Sequence, residues 1–202
     1  MDIAFMADKG GVGKSTLVMH VATRLRQMGI DAAIMDLDGT GTCRLWQREP
    51  YVPVYGLGDL GEDPPQHAVR LWDTPAHPGA AMRDALVRQS QAIVVVAQTD
   101  PASQRAAASL YVDLTQDHDC VRLLLNEVSP TGREGELALA QAREGGVVCI
   151  NTPIRKYRCY EHAAWDGRAV CDWPYPSADK AWADISALTD ELLRLEVTDA
   201  VA

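Results

Sequence analysis

The sequence has no excess of basic charge: 19 Lys and Arg stand against 28 Asp and Glu, a formal charge of -9. Affinity for a nucleic-acid backbone comes from neutralising phosphates with Lys and Arg, which excludes a protein whose whole surface grips DNA but leaves room for a local basic patch. Paired cysteines are missing too. The five present (Cys43, Cys120, Cys149, Cys159, Cys171) are odd in number and none stand in C-x-x-C spacing, so neither a disulfide framework nor a zinc ribbon is supported. No apolar run approaches the roughly 18 residues of a membrane span. The N-terminus, Met1-Asp2-Ile3-Ala4-Phe5-Met6, has no basic leader region. These absences point to a reducing cytoplasm. Repeats and low-complexity segments are also lacking. The 202 residues, 47% of them hydrophobic, are expected to form one globular domain over 1–202 with a core of its own and no separate N-terminal DNA-binding domain.

Short Val- and Ile-rich runs alternate with stretches of helical periodicity, the pattern of βαβ units. Strands are expected at 2–7, 31–36, 68–73, 91–98, 120–126 and 147–150. Ile93 to Ala97 and Val121 to Leu125 are nearly continuous apolar runs, as in central parallel strands covered on both faces. Helices are expected at 14–28, with Leu17, Val21 and Leu25 on one face, at 101–115 and at 134–144. A last helix over 177–195 has Ser177 as N-cap and an apolar stripe of Ala181, Ile185, Leu188 and Leu192. Acidic residues on its other face (Asp184, Asp190, Glu191) fit core packing better than an anionic bilayer. Residues 56–65 read as a surface loop. The fold class expected is α/β, a mostly parallel central sheet flanked by helices.

The most informative stretch is Lys9-Gly10-Gly11-Val12-Gly13-Lys14-Ser15-Thr16, between the first strand and the first helix. Glycines let backbone N–H groups wrap a phosphate, and the helix that follows presents the positive end of its dipole. Lys14 can reach the β and γ phosphates, and the Ser15 hydroxyl can ligate Mg²⁺. The strict pattern G-x-x-x-x-G-K-[ST] fails, because Asp8 stands at its first glycine. In its place is K-G-G-x-G-K-S with the additional Lys9. Two further strands end in carboxylates, Asp36-Leu37-Asp38 and Asp73-Thr74-Pro75, at the edge where open α/β sheets bind ligands.

Together these segments resemble the ParA/MinD family of deviant Walker A ATPases, whose P-loop NTPase fold the chain is expected to share. The resemblance runs in order through the phosphate loop, Asp36-x-Asp38, Asp73-Thr74-Pro75, the strand-ending Asn126 and the C-terminal helix region, and is closest to a short ParA-type plasmid partition protein. It implies ATP and Mg²⁺ as cofactors. Lys14 and residues 10–16 (Gly10, Gly11, Val12, Gly13, Ser15, Thr16) would bind nucleotide, with Asn126 and Pro153 at the base. Ser15, Asp36 and Asp73 would serve the metal, and Asp38 would orient the attacking water. Lys9 would cross a dimer interface to the partner's nucleotide, making ATP the glue of a homodimer. In the second switch, Asp73-Thr74-Pro75-Ala76-His77-Pro78-Gly79, His77 reads as a loop residue rather than a general base, since phosphoryl transfer depends on positioned water and charge.

The same resemblance implies nonspecific DNA binding by the ATP dimer, with Arg155, Lys156, Arg158 and Arg168 as candidate contacts, and a ParB-like or other adaptor protein that stimulates hydrolysis. A solvated face diluted by Glu161 and Asp166 is the competing reading of that patch. The implied location is the cytoplasm, nucleoid-associated in the ATP state. Two alternatives use the same fold: a MinD-like membrane-cycling regulator, disfavoured by the acidic end Glu196-Val197-Thr198-Asp199, and an ATP-dependent amide-forming metabolic enzyme.

Overall fold

A computed structural model describes residues 1–45, 52–61 and 64–198. The chain runs β1 (Asp2–Met6), α1 (Lys14–Gln27), β2 (Ala32–Asp36), α2 (Thr42–Leu45), β3 (Val54–Gly56), β4 (Val69–Asp73), α3 (Ala80–Gln89), β5 (Ala92–Ala97) and α4 (Pro101–Leu114). It continues through β6 (Val121–Leu125), α5 (Glu134–Glu144), α6 (Arg158–Trp165), a 3₁₀ turn (Val170–Asp172) and α7 (Ala178–Thr198). The strands form one sheet in the order β3-β2-β4-β1-β5-β6. Every pairing between them is parallel. Helical crossovers therefore bring all the strand C-termini to one edge, where the loops that follow them meet.

Side chains alternate across a pleated strand, and the core divides accordingly. Ile3 and Phe5 of β1, Ile34, Leu71, Val94 and Val96 face α1 and α7 through Leu17, Val21, Leu25, Ile185, Leu188 and Leu192. Ala4, Met6, Met35, Trp72, Ile93 and Val95 face the other way, against Leu86 of α3, Leu110 and Leu114 of α4 and Leu139 of α5. The expected stripe on the last helix is thus core.

At the bottom of the sheet, away from the strand C-termini, buried Asp2 accepts two bonds from the Arg70 guanidinium, at 2.7 and 2.8 Å, and one from Trp72 Nε1 at 2.7 Å. The charge is tolerated there because the guanidinium fork and the indole satisfy it together.

Several expectations change. Segment 147–150 is not a strand: it meets β6 only through an isolated bridge of Cys149 to Leu123, after the left-handed Gly146 breaks the approach. The short β3 occupies 54–56, so Gly56 closes a strand, and the expected loop starts one residue later; residues 62 and 63 of it lie outside the described ones. Helices α2, α3 and α6 and the 3₁₀ turn were not expected. Ser177 does precede α7, accepting from the Ala181 amide through its carbonyl at 2.9 Å, but with φ +75 rather than an extended capping backbone. Among the described residues no helix is long and apolar enough to cross a membrane.

His20 ties α1 to the C-terminal region. Its Nδ1 lies 2.7 Å from the Thr16 carbonyl and its Nε2 accepts from the Val170 amide at 3.1 Å, which fixes a neutral ring with the proton on Nδ1. Burial pushes its pKa down to about 4. The unfolded chain takes up a proton near the ordinary value of 6.5 while the folded chain does not, so the stabilisation is complete above that pH and is lost as pH falls toward 4. The loss expected from this group is about 3 kcal/mol between pH 7 and pH 4. Denaturant titrations across that range should show a slope that His20→Gln removes; an unchanged slope in the variant would contradict the assignment.

Candidate functional site

The loop 8–13 leaves β1 and enters α1 without a side-chain cap. Gly13 occupies the capping position with φ +87, and Gly11 has φ +72. Both are left-handed conformations in which side chains are strained. The first amides of α1 are left without side-chain acceptors, the arrangement that receives a phosphate. A Cβ at Gly13 would collide with Asn126 Nδ2. Gly13→Ala therefore combines strain with a clash and is expected to lower the melting temperature by about 5 °C, measurable by calorimetry.

Lys14 is only 7% exposed. Burial lowers its pKa, opposed by the carboxylates of Asp73, Asp38 and Asp8. Asp73 is fully buried at the end of β4, and the same desolvation lifts it to about 6, opposed first by a hydrogen bond from Ser15 and then by one from the Cys43 thiol, whose Sγ is 3.3 Å from Oδ2. Asp36 ends β2 beside it. Its Oδ1 accepts from the Asp38 amide at 3.1 Å, while Asp38 Oδ1 accepts from the Thr40 amide at 3.0 Å, so the switch loop is braced by its own carboxylates.

Asp36 Oδ2 and Asp73 Oδ1 are buried without a hydrogen-bond partner. Orphaned buried carboxylate oxygens are costly, and a divalent cation or its water would satisfy them. Among the described residues no three His, Cys, Asp or Glu side chains gather as a metal cage. Two carboxylates and the Ser15 hydroxyl fit Mg²⁺, which keeps several waters and shares substrate phosphates.

Lys9 is not free in the isolated chain. Its Nζ lies 2.8 Å from Asp100 Oδ2 and 3.3 Å from Gln98 Oε1, and Gln98 Nε2 reaches back to the Gly11 carbonyl at 3.4 Å. Asp100 also caps α4 by accepting from the Ser103 amide. The second switch packs on the phosphate loop through the His77 amide and the Ala7 carbonyl. His77 itself is exposed, with φ +52 and Nδ1 3.8 Å from Asp8.

A cleft of about 280 Å³ opens beside the loop, from Gly13 and Thr16 past Glu127 and Lys156 to Trp165. Asn126 borders it, yet its Nδ2 donates to the Val12 carbonyl at 2.7 Å, so one half of the amide braces the phosphate loop. Pro153 does not line the cleft; Ile154 to Tyr157 do. The candidate DNA contacts adjoin it but are largely engaged: Arg155 with Asp184 at 2.6 Å, Lys156 with Glu127 at 2.9 Å, Arg168 with Asp166 at 2.8 Å. Arg158 is exposed at the start of α6. Sequence reasoning missed Cys43, Asp100, Glu127 and Trp165; the first three act through contacts 30, 91 and 29 residues apart in sequence, and Trp165 joins the site only because the fold sets α6 beside the cleft.

A parallel sheet with a glycine loop after a central strand and carboxylates after the next two strands on one side of it, β4 and β2, is a recurrent arrangement, and solved structures decide which. The septum site-determining protein MinD from Pyrococcus horikoshii, complexed with Mg-ADP, superposes with a TM-score of 0.72 at 15% identity, covering 100% of this chain and 99% of that one. The fold is that of the ParA/MinD P-loop NTPases. A plasmid partition protein of Borrelia burgdorferi bound to AMPPNP shares it, with a TM-score of 0.73 at 10% identity over 96% of this chain and 98% of its own. Residues 1–44, from β1 through the phosphate loop to Arg44, match the family model described as ParA, NUBPL iron-transfer P-loop NTPase. In sequence, the maintenance of carboxysome distribution protein A of Gloeobacter kilaueensis is 27% identical over 212 residues, covering 95% of this chain and 94% of that protein. The ParA/MinD-type fold explains why the two orphaned carboxylates and the phosphate loop share one sheet edge.

Proposed function

We propose that this protein is an ATP-dependent positioning ATPase that forms an ATP sandwich dimer, associates with nonspecific DNA in that state and hydrolyses ATP when an adaptor protein engages it. The observation that carries the reading is the meeting, at one sheet edge, of the loop bearing Lys9 and Lys14 with the unpartnered buried oxygens of Asp36 and Asp73. Lys14 and the α1 amides hold the phosphates. Ser15, Asp36 and Asp73 hold Mg²⁺, which when bound neutralises charge on the phosphoryl oxygens. Asp38 orients the attacking water, and Lys9 exchanges Asp100 for the nucleotide of a second copy. An ion pair as exposed as Lys9 with Asp100 is weak, which suits a group that must change partners.

The names of the relatives support two cargo classes. One is named for carboxysome distribution and another for plasmid partition, so a protein assembly and a DNA molecule are both cargoes this motor can serve, through a ParB-like or other adaptor. The proposed location is the cytoplasm, on the nucleoid in the ATP state. DNA affinity is expected to be modest and steeply salt-dependent, because only Arg158 among the four candidate cations stands outside a carboxylate pair reported above.

The test is ATPase rate with and without nonspecific DNA, alongside the oligomeric state in ADP and in ATP. Dimerisation only with ATP and stimulation by DNA with partner support the reading. A monomer in both nucleotides, or turnover that requires a small acid substrate, would overturn it.

A further inference from the structure

Trp165 is 86% exposed, a large apolar side chain left in water at the end of α6. It lines the same cleft that begins at Gly13 and Thr16 on the phosphate loop. Its indole leans on His162, with ring centroids 5.7 Å apart and planes tilted by 58°, and His162 in turn stacks on Tyr175 at 4.8 Å and 22°. An exposed tryptophan steadied by a neighbouring ring presents a flat apolar surface, and a flat ring is what it best accepts. The other walls are mixed: Leu17, Ile154 and the ring of Tyr157 are apolar, while polar groups come from Glu127, whose backbone sits at φ +54, and Lys156, whose Nζ is 2.9 Å from the Glu127 carboxylate. That pair offers an acceptor and a donor side by side, as the edge of a purine requires.

Resting on the nucleotide reading above, we infer that Trp165 is the stacking surface for the nucleotide base, which covers it on binding while Glu127 and Lys156 meet the edge. Asn126 is then a positioning residue for the loop through Val12. The tether between the base surface and the phosphate loop is the buried His20, hydrogen-bonded to Thr16 on one side and Val170 on the other and edge-on to Tyr160 at 5.2 Å.

The experiment measures Mg-ATP binding by calorimetry and tryptophan emission, with inorganic triphosphate as a probe lacking the base, for the wild type, Trp165→Ala and Trp165→Phe. Mg-ATP should quench the wild-type emission, and either substitution should remove most of that signal. Trp165→Ala should bind Mg-ATP about tenfold more weakly with triphosphate binding unchanged, while Trp165→Phe, which keeps a ring, should bind nearly as the wild type does. Equal Mg-ATP affinity in wild type and Trp165→Ala, or equal losses for Mg-ATP and triphosphate, would overturn this inference alone. Failure of the wild type to bind either ligand would overturn the nucleotide reading beneath it.

Discussion

Lys14→Ala is expected to abolish nucleotide binding at any practical concentration, a loss of about 100-fold or more in affinity. The side chain is buried at the first position of α1, where its ammonium is already stripped of most water and balanced by Asp73, Asp38 and Asp8. Desolvation there has been met by folding, so a phosphate arriving at the loop gains a charge-assisted bond without first dehydrating the lysine. Truncation removes that partner and leaves Asp73 buried beside an anionic ligand. Calorimetry with Mg-ATP, and the nucleotide-induced rise in melting temperature, should both lose their signal. Retained binding together with nucleotide-driven dimerisation would mean that the loop 8–16 is not the phosphate site.

Lys9→Ala is expected to separate binding from turnover. Lys9 sits outside the first turn of α1 and is held by Asp100 and Gln98 rather than facing Asp36 or Asp73. Its removal should leave Mg-ATP affinity of the monomer within about threefold, since a partly exposed pair contributes little. Partner-stimulated hydrolysis, in which a cation supplied across an interface stabilises the transferring phosphoryl group, should fall by about 10³-fold or more. Single-turnover rates with adaptor present, set beside binding isotherms, read the two effects independently. Equal turnover in the variant would sink the role of Lys9 in a second copy's site.

These outcomes depend on residues that a linear reading finds with uneven success. Strands such as Ile93 to Ala97 are legible because burial on both sheet faces demands an unbroken apolar run, and the phosphate loop is legible because its chemistry is local. The short β3 escapes notice since three residues after Pro53 carry no periodicity. Helix α3 escapes because only Leu86 within it is buried, too little to print a stripe. In α6 just Cys159 and Ala163 are buried, and its aromatic and basic residues read as surface. Segment 147–150 errs the other way: Cys149 and Ile150 are buried in the core while Val148 is exposed, and a single bridge to Leu123 replaces a ladder. Roles set by long-range geometry, Cys43 against Asp73 or Asp100 against Lys9, depend on separations of 30 and 91 residues that the sequence does not advertise.

The strand order has a consequence for how the chain is made. The first strand is the third from one edge and has neighbours on both sides, β4 and β5, which begin at residues 69 and 92. During synthesis Ile3, Phe5 and Met6 have no strand to pair against until β4 follows at Val69–Asp73, and their second neighbour comes only with β5 at Ala92–Ala97. The ladder of β1 is thus complete only once both partners have been made, and loop closure of that span must come before any hydrogen bond rewards it. Folding is expected to be slow and to expose an apolar edge to chaperones, with the phosphate loop, hung between β1 and α1, taking shape only when the sheet closes around it.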